Sequence, residues 1–159
     1  MMLSMNNKSN LLTTSVVKVL LLSATLIGVS ANSALAKSSD TPIQFAKGAI
    51  SSTVTGQLKP NENEHWYRFH ANSWQYAIIN IAPLAGTSET ANVGVLHMPN
   101  GTQNGTKGGI IYQGCLPVTG TYRLRIARNL MATQGQTAGY SIEVIVLPKY
   151  ASEPLCEYL

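Results

Sequence analysis

The sequence of 159 residues predicts an all-β fold. The expected form is a single antiparallel β-sandwich of about seven to eight short strands. Three observations predict it. Apolar and polar residues alternate with a period of two in several runs rich in β-branched and aromatic side chains. Clusters of Pro, Asn, Gly and Ser separate those runs at regular spacing. No segment after residue 36 carries a helical period.

Residues 1–36 read as a signal peptide and not as part of the fold. Lys8 and Lys18 give a positive start, and residues 19–31 are an apolar run too short to span a bilayer. Ala34-Leu35-Ala36 is a small-x-small cleavage site, so the mature chain is expected to begin at Lys37, with no membrane span left after cleavage. The expected location is periplasmic or secreted. Lys37 stands where a lipid-anchored chain would carry cysteine. What remains is one domain's worth of chain. Its charge is close to balanced once the signal lysines leave. Arg123, Arg125 and Arg128 are the only basic grouping, which is no nucleic-acid footprint.

In order, residues 37–48 read as a loose leader, and residues 49–148 as the sandwich domain. Residues 50–58, rich in Ser and Thr, form a first strand, followed by the turn cluster 59–64. Residues 66–71 alternate, with Tyr67, Phe69 and Ala71 on one face and Trp66, Arg68 and His70 on the other. Asn72 and Ser73 turn the chain into a strand over 75–83, where Ala77, Ile79 and Ile81 share a face. A small-residue loop over 84–91 leads to a strand over 93–99. Residues 100–109 repeat Asn-Gly, a pair that tolerates positive φ, and read as a flexible loop. Asn100 and Asn104 match the N-glycosylation pattern, but a plain loop is the expected reading. A short strand follows over 110–112.

Residues 114–147 hold the strongest pattern. Tyr122, Leu124 and Ile126 alternate with polar neighbours, as do Tyr140, Ile142, Val144 and Val146. The two runs are expected to pair as antiparallel strands, placing Arg123 and Arg125 opposite Glu143 on an outer face. The connection over 128–139 is longer than a tight hairpin needs. Its Arg128, Asn129, Gln134 and Gln136 are the candidate partner-binding residues. Residues 149–159 form a tail. The chain has two cysteines, Cys115 and Cys156, and an even count in an exported chain favours a disulfide tying that tail to the domain. The long loop so closed is worth about 4 kcal/mol by the chain-entropy argument.

Catalytic chemistry is hard to assemble. His65, His70 and His97 lack metal-ligand spacing. Asp40 is the only aspartate and lies in the leader, so a Ser-His-acid triad would have to borrow Glu64 or Glu143, and there is no nucleophile elbow. Glu62 and Glu64 share a turn, a poor setting for a glycosidase pair. No enzyme, no metal and no cofactor are expected. Trp66, Trp74 and Tyr76 offer a sugar-stacking platform, against the plainer reading as core or rim packing.

Gly56, Leu58, Trp66, Tyr67, Phe69, Pro99, Gly101, Gly120, Tyr122, Gly139 and Tyr140 together resemble the bacterial pre-peptidase C-terminal domain, a small β-sandwich. Trp74-Gln75 stands where that family usually has Gly-Gln. Residues 116–122 (LPVTGTY) and 138–142 (AGYSI) resemble the periplasmic inhibitors of goose-type lysozyme and their exported relatives. Those proteins carry further arginines in the connection, where this chain keeps Arg128 and then has Met131-Ala132-Thr133-Gln134. The resemblance implies a protein partner, a muramidase, whose cleft is occluded by a loop carrying the Arg128 guanidinium. The alternatives are a non-inhibitory carbohydrate- or protein-binding module of the envelope, and an immunity protein against a wall-degrading toxin.

Overall fold

The computed structural model describes residues 40–157; the expected signal peptide and cleavage site lie outside the described residues. The strands are β1 (Thr41–Pro42), β2 (Ser51–Leu58), β3 (Glu64–Ala71), β4 (Tyr76–Ala82), β5 (Glu89–Thr90), β6 (Val93–His97), β7 (Gln103–Lys107), β8 (Gly109–Cys115), β9 (Gly120–Ala127) and β10 (Ala138–Val146), followed by helix α1 (Lys149–Cys156). They form two mostly antiparallel sheets. One has the order β1-β3-β9-β6-β7 and the other β2-β10-β4-β8. The short β5 runs parallel to the start of β10, beside Ala138 and Gly139. The all-β sandwich expected from the sequence is what the chain adopts.

The core lies between the sheets, and the alternation places it. Tyr67, Phe69, Leu96, Tyr122, Leu124 and Ile126 from one sheet meet Leu58, Ile79, Ile81, Ile111, Tyr140, Ile142 and Val144 from the other, all buried. Phe69 and Tyr122 stack at 5.5 Å between centroids. The Tyr122 hydroxyl donates back to Val118 O at 2.6 Å, so a buried polar group stays paired. Gly56 sits directly beside Tyr140 in the ladder. A Cβ there would lie 2.2 Å from the Tyr140 hydroxyl oxygen, so the ring needs a glycine neighbour.

Five expectations are corrected. The runs over 114–147 are not a hairpin: β9 pairs with β3 and β6, and β10 with β2, β4 and β5. The two strands face each other across the core. A period of two says which side chains point inward, but not which neighbour takes the hydrogen bonds. The expected pairing of Arg123 and Arg125 with Glu143 falls with it. Arg123 instead binds Asp40 through Nε at 2.5 Å and Nη2 at 3.0 Å. Arg125 binds Glu64 at 3.2 Å. The leader is not loose over residues 40–43, because β1 pairs in parallel with β3 and Ile43 is in the core. The Asn-Gly segment is not a plain loop. Its residues 103–107 are β7, an edge strand on β6, and the glycines that read as turns include Gly105, packed against the β6 backbone. Finally, the tail contains α1, with Pro154 inside it. Proline disfavours a helix interior, which is why the sequence does not predict one. Ser152 and Cys156 hold α1 in place: Tyr76 N donates to Ser152 Oγ at 2.8 Å, and Cys156 bonds to Cys115.

Candidate functional site

The connection over 128–137 crosses from β9 in one sheet to β10 in the other, at one end of the sandwich. It is built around Arg128, whose side chain is 2% exposed. Its Nε donates to Glu62 O at 2.8 Å, and its Nη2 to Leu58 O at 2.7 Å and Lys59 O at 2.5 Å. Its Nη1 donates to Gln136 O at 2.5 Å and to Glu89 Oε2 at 3.2 Å. One guanidinium thereby ties the β2–β3 turn, β5 and the far side of its own loop together. The planar fork of arginine suits this task, since it presents donors in several fixed directions.

Glu89 completes the brace. Thr133 Oγ1 donates to its Oε2 at 2.5 Å. Gln134 N and Gln136 N donate to Oε1 at 2.7 and 3.0 Å. These donors, the Thr133 hydroxyl foremost, hold the carboxyl below its ordinary value against the opposing effect of burial, with the Arg128 charge adding to them. Gly135 takes φ 78°, a left-handed turn that lets both flanking amides converge on one carboxylate. Asn129 closes the loop's first turn, its carbonyl accepting from Ala132 N at 2.9 Å.

The sequence therefore brings Arg128, Asn129, Gln134 and Gln136 together, but Arg128 faces inward. The expectation of a guanidinium projecting into a partner is corrected: its donors are used by the chain's own carbonyls and by Glu89. Asn129, Gln134 and Gln136 line a depression of about 620 Å³ with Glu89, Thr133 and Asn92. The Asn92 Oδ1 is buried without a hydrogen-bond partner among the described residues. Beside it, Leu130 and Met131 are 70% and 93% exposed, an apolar tip on a polar rim. Glu89, Leu130 and Met131 were missed from the sequence. No local signal marked Glu89, which lies 39 residues from Arg128, farther along the chain than Glu143.

The aromatic platform does not assemble. Trp66 lies on the outer face of β3, under the Arg123 guanidinium at 4.4 Å and beside His97 at 5.0 Å. Burial and the flanking charges of Arg125 and Arg123 push the His97 imidazole down from its ordinary value. Trp74 lies in the turn between β3 and β4, and Tyr76 in the other sheet. The Cys115–Cys156 disulfide is present, with Cα atoms 5.7 Å apart.

No protein-family model and no curated protein matches the chain. Solved structures that share its fold include the following three. Aeromonas hydrophila PliG, a periplasmic lysozyme inhibitor of g-type lysozyme, matches with a TM-score of 0.53 and 21% identity, over 68% of this chain and 96% of its own. Salmonella Typhimurium PliG, described in the same terms, matches with a TM-score of 0.52 and 20% identity over 68% and 97%. A mutant of the Escherichia coli PliG matches with a TM-score of 0.51 and 21% identity over 68% and 97%.

Proposed function

We propose that this chain is an exported inhibitor of a lysozyme, with the goose type as first target, acting in the bacterial envelope. The single observation that carries the reading is the fold shared with three such inhibitors over nearly their whole length. The disulfide accords with export to an oxidising compartment. The mechanism is occlusion by the braced 128–137 loop. Leu130 and Met131 enter the target's sugar cleft, and Asn129, Gln134 and Gln136 hydrogen-bond at its rim. Arg128 is the positioning residue. It does not touch the target but fixes the loop before encounter, which removes an ordering cost from binding.

The test is a lysis assay with goose-type and chicken-type lysozymes against purified mature protein. Inhibition of the goose type with stoichiometric complex formation supports the reading. No inhibition of either enzyme, and no complex, would overturn it.

A further inference from the structure

A second cleft, of about 520 Å³, lies at the other end of the sandwich and is lined by Trp74, Lys149, Tyr150, Glu153, Cys156 and Glu157. Strand β10 connects the two ends: Ala138 sits beside β5 under the braced loop, and Val146 beside Ala77 next to α1. Its nine residues put the ends roughly 27 Å apart. Neither aromatic ring in the cleft is used by the core, for Trp74 is 63% exposed and Tyr150 81% exposed.

Both residues are nevertheless held through their backbone. Trp74 is the only non-glycine described residue with positive φ, at 64°. A bulky side chain adopts that conformation at a cost, and burial does not offset it here. The backbone is pinned by Trp74 N donating to Leu116 O at 2.9 Å. Tyr150 is carried by α1, which is anchored by Ser152 and by the disulfide at Cys156. Helical spacing then lines up Lys149, Glu153 and Glu157 at i, i+4 and i+8 beside Tyr150.

We infer that this cleft binds an extended saccharide, independently of the loop at the other end. An apolar protein surface docking here would strip water from three charged groups without pairing them. A sugar places its C–H faces on the rings and its hydroxyls on Lys149, Glu153 and Glu157, which serve as donor and acceptors. Concave sites with aromatic walls and a few polar groups are the usual form of such pockets.

The experiment follows the two tryptophan indole N–H signals by NMR while chitohexaose, and separately soluble peptidoglycan glycan strands, are added to the mature protein with no lysozyme present. The Trp74 signal should move and the Trp66 signal, on the outer sheet face, should not. Trp74→Gly should keep or raise the melting temperature, because glycine adopts φ 64° freely, and should weaken binding at least about tenfold. Tyr150→Ala should weaken it likewise, and both variants should retain any lysozyme inhibition. Movement of the Trp66 signal alone, or of neither signal with both probes, would overturn the inference. So would self-association abolished by Tyr150→Ala without a sugar response, which would give the cleft to a second copy of the chain.

Discussion

Tyr67 and Tyr140 meet hydroxyl to hydroxyl at 2.6 Å in the core, one from each sheet. The Tyr140 oxygen also lies 2.5 Å from His65 Nδ1, so it bridges the Tyr67 hydroxyl and the His65 ring. Tyr140→Phe removes that hub and leaves the Tyr67 hydroxyl buried without its partner. The expected loss is about 1–3 kcal/mol in urea unfolding, with the fold kept. An unchanged midpoint would mean that water replaces the contact.

Tyr140 also predicts alkaline lability. Burial, then the hydrogen bond with Tyr67, raises Tyr140 far above its ordinary value, and burial raises Tyr122 and Tyr112 as well. A raised folded value means that the stabilisation is whole below the unfolded value of 10.0 and is lost as pH climbs above it. Urea midpoints should hold to pH 9 and fall beyond pH 10. Tyr140→Phe should flatten that fall, and a parallel decline in both proteins would assign it to other groups.

The disulfide closes a loop of 41 residues, worth about 4 kcal/mol by loop-closure entropy. It also holds a helix interrupted by Pro154. Replacing both cysteines with alanine should lower stability by roughly that amount and release α1 first. Amide exchange should show early loss of protection at Ser152 and Glu157, ahead of β10. Simultaneous loss across the chain would make α1 part of the global unit.

The inward faces of β3, β4, β9 and β10 were legible, because burial of alternate residues is imposed by the pleat itself. Tyr67, Phe69, Ala77, Ile79, Tyr122, Leu124, Tyr140 and Ile142 are all buried as the alternation requires. Pairing was not legible. Tyr122 and Tyr140 look alike whether their strands are neighbours or face each other across the core. The Cys115–Cys156 pairing needed only a count. Asp40 was unreadable for the opposite reason: nothing local marks a leader residue whose partner, Arg123, lies far along the chain. At the site, loop length identified the segment, but the direction of Arg128 depended on carbonyls of Leu58 and Lys59, whose closeness only the fold creates.

Glu89 gives the loop an acid limit. Its folded value is depressed below the ordinary 4.5, so its stabilising bonds are intact above that value and are lost as pH falls through the lower folded one. The amides of Gln134 and Gln136 should therefore exchange faster below about pH 4, while Leu124 stays protected. Glu89→Gln should reproduce the fast exchange at neutral pH. If both amides stay protected in that variant, Arg128 alone holds the loop.

Bracing and touching are separable at the loop. Arg128→Ala removes one side chain and strands the carbonyls of Leu58, Lys59, Glu62 and Gln136, of which Leu58 is wholly buried. Losing the shared donor should cost about 3 kcal/mol, and the loop should move with it. Arg128→Lys should recover little, since one ammonium cannot reach acceptors on three segments. Met131→Asp changes a residue that is 93% exposed, so stability should stay within about 0.5 kcal/mol. If the tip enters a cleft, that same change should cost at least about tenfold in inhibition, from a buried and unpaired carboxylate. Arg125→Ala breaks only an exposed pair with Glu64 and should alter neither quantity by more than about 0.5 kcal/mol. Melting temperatures and inhibition constants for these four variants separate the roles. Lost inhibition at an unchanged melting temperature for Arg128→Ala would mean that the guanidinium turns outward in the complex and touches the target itself.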